Sequence, residues 1–132
     1  MVAAPAFFDK TYEEALALLV EARNYIAYQE TADLQVLDPD SRLLATQETM
    51  RVTCRLTQSM AWLLGQRAAQ LGEISAEEAL ADFGVGGQEV CLDDRWNQDE
   101  RLPPAIRALL GRTLSLYERV GRLDDMLRQA AA

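Results

Sequence analysis

From Ser41 to Leu71 the chain contains no proline and a single glycine, Gly65. A stretch so free of helix breakers predicts one helix of about 30 residues, about 45 Å long. Two apolar stripes run along it. One is Leu43, Gln47, Met50, Cys54, Thr57, Ala61, Leu64, Ala68 and Leu71; the other is Val52, Leu56, Met60 and Leu63. A helix with one neighbour needs one stripe, so two stripes ask for two neighbours. Within this span the eleven residues Leu56 to Gln66 carry no charge. Their surface must be covered by a core, a second copy, a client protein or a membrane. The membrane drops out first, because no run reaches the roughly 18 apolar residues of a span, and Gln58, Ser59 and Gln66 interrupt this one.

Further helices are predicted on both sides. Thr11 with Glu14 reads as a capping box opening a helix over 11–30. Its apolar face is Tyr12, Ala15, Leu19, Ala22 and Ile26, widened by Leu16, Leu18 and Tyr25. Pro39 bars continuation into the middle helix, 41–71, for which Asp38 or Asp40 offers the cap and Gly72 the stop. Ser75 and Glu78 form a second capping box, opening a short helix over 76–83. Residues 84–102 read as a long loop with three glycines early and five acids between Glu89 and Glu100. The last helix, 103–128, starts at Pro103 or Pro104 and carries Ile106, Leu109, Thr113, Leu116, Val120, Leu123 and Leu127 on one face. The expected fold is all-α: one domain, 1–132, built as an antiparallel up-down-up three-helix bundle with a short extra helix and a long loop before the last helix.

Composition narrows function. The chain has a formal net charge of -8, against the basic stripe that nucleic-acid binding needs. There is no histidine, which removes His-based acid–base catalysis, His-activated nucleophiles and His-containing metal motifs. No P-loop or GxGxxG occurs, and no cofactor or metal is expected. Cys54 and Cys91 form no CxxC and no disulfide framework, and the N-terminus lacks the pattern of a signal peptide. A cytoplasmic protein is the expectation. Cys54 falls on a core stripe as a small hydrophobe, and Cys91 sits in the loop.

The candidate residues are therefore protein-contacting ones. Met60, Leu63 and Leu64 lie on the stripes and serve either the core or a dimer face. Trp62 falls off both stripes, which assigns it to an interface, where aromatic anchors concentrate. Arg51 and Arg55 share a face; they can grip a client carboxylate, or stand as solvated charge paired with Glu48. Trp96 and Leu92 lie in the acidic loop, open to docking a partner or to folding back over the end of the bundle. The acidic residues of 77–100 do not have EF-hand spacing.

Three segments, "TYEEALALLVEARNYIA", "VTCRLTQSMAWLLGQRAAQLGEIS" and "LPPAIRALLGRTLSLYERVGRLD", in this order resemble the DUF1465 family of RcdA-like adaptors, regulators of CtrA degradation in alphaproteobacteria. The resemblance covers about Thr11 to Asp124, and "MAWLLGQRA" with the trailing "GEIS" is its most specific part. It implies a three-helix bundle that dimerises and a non-enzymatic adaptor for the ClpXP protease. The implied partners are a client regulator such as a CtrA-like transcription factor, a response-regulator-like adaptor and the ClpX subunit. Some members carry an extended polar C-terminal tail, whereas this sequence stops at "RQAAA". Two other readings stay open: a dedicated dimerisation module without a protease, and a small all-α enzyme holding an anionic substrate between Arg51, Arg55 and Arg67.

Overall fold

The computed structural model describes residues 5–132. They form six helices: α1 Pro5–Tyr28, α2 Glu30–Gln35, α3 Pro39–Gln70, α4 Ala76–Asp82, α5 Gln88–Cys91 and α6 Pro104–Ala131. No strand occurs among the described residues. The fold is all-α, as expected.

The helix ends follow local chemistry. The Asp38 side chain accepts from the Ser41 N–H and hydroxyl, so α3 opens on an aspartate cap with Pro39 in its first turn. At the other end Gly72 adopts φ +77°, and the N–H groups of Gly72 and Glu73 return to the carbonyls of Ala69 and Ala68. That Schellman geometry requires a residue tolerant of the left-handed region. The Ser75–Glu78 box is formed and opens α4. The Thr11–Glu14 box is not. The chain is already helical from Pro5, and Thr11 is buried mid-helix. The earlier start places Phe8 in the core, its ring centroid 5.9 Å from that of Trp62.

The three long helices pack on one another. Helix α1 runs antiparallel to both others: Asp9 meets Arg67 of α3, while Glu14 and Glu21 meet Arg119 and Arg112 of α6. The up-down-up expectation fails for the third pair. Helix α6 runs parallel to α3, since Arg55 reaches Leu110 and Trp62 reaches Asp124 further along in the same direction. The connector between them is the reason. It travels back along α3, and its glycine Gly86 meets Gln58, Cys91 meets Cys54, and Val90 meets Arg51. The chain thus enters α6 at the same end as it entered α3. The predicted loop 84–102 is this return segment, and it includes the short helix α5.

Helix α3 is also rotated relative to expectation. Its first stripe faces outward: Leu43, Met50 and Leu64 are 72, 68 and 48% exposed. The second stripe does enter the core, through Val52, Leu56 and Leu63. So do Glu48, Arg51, Arg55, Ser59 and Gln66.

Two glycines test this packing. A Cβ at Gly65 would lie 2.7 Å from both Cβ and Cγ of Phe83, where the connector leaves α4. A Cβ at Gly111 meets nothing within 4 Å. Gly65→Ala is expected to lower unfolding free energy by about 1–3 kcal/mol through overpacking. Gly111→Ala is expected to raise it by about 0.5–1 kcal/mol through lost backbone freedom in the unfolded chain. Urea melts of both variants check the pair.

Candidate functional site

The arginines singled out from the sequence are interior residues. Arg51 donates from Nε and Nη2 to the two Glu48 carboxylate oxygens at 2.9 and 3.1 Å, and from Nη1 to the Val90 carbonyl. Arg55 is 0% exposed, and among the described residues no carboxylate forms an ion pair with it. Its Nε donates to the Cys91 carbonyl at 2.7 Å, Nη1 to the Leu110 carbonyl at 3.0 Å and Nη2 to the Asp93 carbonyl at 2.9 Å. Burial, reinforced by the neighbouring Arg51 charge, lowers the Arg55 pKa from its ordinary value, whereas hydrogen bonding to Glu48 raises that of Arg51. Neither guanidinium is free to grip a client, and neither is solvated surface charge. The expected pairing with Glu48 exists, but inside the protein. Together the two side chains bind the return segment to α3 and α6.

Trp62 is a second correction. It is 0% exposed, and its Nε1 donates to Asp124 Oδ1 at 2.9 Å. Asp124 also accepts from Arg128, which in turn donates to the Leu80 carbonyl, so one chain of polar contacts joins α3, α6 and α4. Buried tryptophans find a partner for the indole N–H, and Asp124 supplies it. Leu63, 2% exposed, is core as well. Met60 is half-buried and packs against the same core. Trp62 and Leu63 therefore cannot meet a partner without opening the bundle.

What faces outward was partly missed. Between Leu43 and Gln66 all three charged residues of α3, Glu48, Arg51 and Arg55, are buried. Every exposed residue there is uncharged: Leu43, Thr46, Gln47, Met50, Thr53, Thr57, Ala61 and Leu64. Helix α1 exposes Leu16, Leu19, Val20 and Ile26, of which Leu19 and Ile26 border this face. A shallow groove of about 310 Å³ lies between the helices, lined by Leu19, Arg23, Ile26, Thr53 and Leu56 among others. The signal was present in the sequence as the first stripe, but periodicity does not say which stripe is turned inward.

The return segment offers a second exposed region. Leu92 is 47% exposed, while Trp96 is half-buried against the core with the Arg95 and Arg101 guanidinium carbons each 5.9 Å from its ring centroid. Leu92 also borders a cleft of about 300 Å³ against α6, with Tyr117, Glu118, Arg122 and Asp125. Arg67 stands elsewhere, over the Tyr12 ring, so Arg51, Arg55 and Arg67 do not converge on a pocket. Cys54 and Cys91, 37 residues apart in sequence, are brought into contact. Among the described residues no helix is long and apolar enough to cross a membrane.

A family model described as a protein of unknown function, DUF1465, matches residues 1–132. The chain belongs to the DUF1465 family. A solved relative, the crystal structure of RcdA from Caulobacter crescentus CB15, is 36% identical and superposes with a TM-score of 0.74. The match covers 91% of this chain and 89% of that one. Comparison with curated proteins finds no match. The segment "MAWLLGQRA" is divided between two environments, with Trp62 and Leu63 inside the bundle and Ala61 and Leu64 outside it.

Two predictions follow from these contacts. Trp62→Ala is expected to destabilise by about 3–5 kcal/mol, the range for emptying a buried aromatic site, read from urea unfolding. Alkaline pH should also destabilise. Burial pushes the Cys91 thiol from 9.0 up to about 12 and the Tyr117 hydroxyl from 10.0 up to about 12. The folded state then holds protons that the unfolded chain releases, so stability is full below about pH 9 and falls as pH rises toward 12. Tyr117→Phe should flatten the fall above pH 10, measured as melting temperature against pH.

Proposed function

We propose that the chain is a non-enzymatic proteolytic adaptor that binds client proteins or partner adaptors and helps deliver them to the ClpXP protease in cell-cycle regulated degradation. The observation that carries the reading is the charge-free outer face of α3, continued by the apolar residues of α1. A solvent-facing helix ordinarily carries charge there, and an outer face without charge from Leu43 to Leu64, bordered on α1 by Leu19 and Ile26 with Arg23 beside them, supports a protein contact. Membership of DUF1465 and the likeness to RcdA supply the class of partner. An adaptor needs no reactive group. It works by raising the local concentration of its client at the protease.

In this reading the chain is a cytoplasmic homodimer through the α3 face around Met50 and Leu64, with Met60 at its edge. Leu92 and Trp96 belong to a separate contact region for a CtrA-like client, a response-regulator-like adaptor or ClpX. The enzyme alternative loses its support with Arg51 and Arg55 committed to Glu48 and to backbone carbonyls.

Affinity capture from an alphaproteobacterial lysate, with mass spectrometry of the eluate, tests the proposal. Enrichment of ClpX, a response-regulator adaptor or a cell-cycle transcription factor is the expected result; a single unrelated partner would sink it. Met50→Glu and Leu64→Glu place a charge on the proposed dimer face without touching the core. Each is expected to weaken self-association at least about tenfold, or roughly 1.4 kcal/mol, by sedimentation.

A further inference from the structure

The Sγ atoms of Cys54 and Cys91 lie 3.3 Å apart. Cys54 belongs to α3 and is half-buried; Cys91 ends α5 and has no exposed surface. Their contact is held from several sides. Arg51 and Arg55 donate to the carbonyls of Val90 and Cys91, pinning the last turn of α5 against the turn of α3 that carries Cys54. Gly87, at φ +71°, turns the chain beside the pair; a Cβ there would stand 3.4 Å from the Cys91 sulfur and 3.6 Å from the Cys54 sulfur. A disulfide bond is about 2.05 Å long, so closure needs an approach of about 1.3 Å.

We propose that Cys54 and Cys91 are a peroxide-oxidisable dithiol that closes to an intrachain disulfide, stapling the return segment to α3. Cys54, the solvent-reachable member, reacts first. Its thiolate attacks hydrogen peroxide, an S–O bond forms, the O–O bond breaks, and the departing hydroxide is protonated to water. The Cys91 thiolate then attacks the sulfur of the Cys54 sulfenic acid. The S–S bond forms, the S–O bond breaks, and the hydroxide that leaves takes up the Cys91 proton as a second water. The two thiols lose two electrons together and the peroxide gains them. The Arg55 guanidinium favours the Cys91 thiolate, while burial opposes it, which makes the second step the slower one. Closure fixes the return segment, including Leu92 and Trp96, to α3 covalently and constrains the unfolded chain.

The test uses the full reduced chain treated with hydrogen peroxide, then alkylated and weighed intact. The expected product loses both alkylatable thiols together, is lighter than the reduced chain by two hydrogen atoms, and reverts with dithiothreitol. It yields a linked Cys54–Cys91 peptide, runs as a single chain on a non-reducing gel and melts at a higher temperature than the reduced form. Cys91→Ser is expected to halt at the Cys54 sulfenic acid, captured by dimedone, with no rise in melting temperature. Cys54→Ser is expected to leave Cys91 alkylatable after unfolding. Three results would overturn the proposal: both thiols persisting under peroxide that oxidises a free-cysteine peptide, disulfides only between chains, or over-oxidation of Cys54 while Cys91 stays reduced.

Discussion

The buried guanidinium of Arg55 is the constraint around which the molecule is arranged. A fixed positive charge without solvent is costly unless hydrogen-bonded. Here three carbonyls from two separate parts of the chain, Cys91 and Asp93 of the return segment and Leu110 of α6, accept from it. The carbonyls of Cys91 and Asp93, at and beyond the end of α5, lack the partners a helix interior supplies, so for these two the arrangement satisfies both sides at once. Arg51 and Glu48 extend it by one turn and bring a compensating negative charge. The return segment is thereby held along α3 by polar contacts as well as by apolar packing.

This interior polar seam decides what α3 shows to solvent. With Glu48, Arg51 and Arg55 turned inward, the outer face is left to Leu43, Met50, Thr57, Ala61 and Leu64. The helix buries these charges together with Val52, Leu56, Trp62 and Leu63, and that arrangement leaves the uncharged outer surface on which the adaptor reading rests. The Trp62–Asp124–Arg128 chain does the same work at the far end of the bundle, tying α3 to α6 and α4. Both polar stations join segments distant in sequence. Neither is marked by local pattern.

Much of the helical plan was legible. Caps at Ser75 and Gly72 are local chemistry and are where the sequence places them, and of the two aspartates offered for α3 the cap is Asp38. The Thr11 cap was misread because a favourable local box was overridden by burial of Phe8 one turn earlier. Trp62 was misread for a different reason. A residue off both apolar stripes is at an interface only if the stripes define the core, and here Trp62 lies on the inward face of α3 that also carries Glu48, Arg55, Ser59 and Gln66.

The sequence by itself determined the class of molecule: all helix, breaker-free in the middle, acidic and without histidine, with a resemblance strong enough to name DUF1465. Those properties depend on neighbours within a turn or two, or on composition alone. Only the tertiary structure decided the parallel course of α6 beside α3, the inward turn of the arginines and the meeting of Cys54 with Cys91. Each of these rests on a contact between residues dozens of positions apart, and a helical period of 3.6 residues specifies a face without specifying what that face will meet.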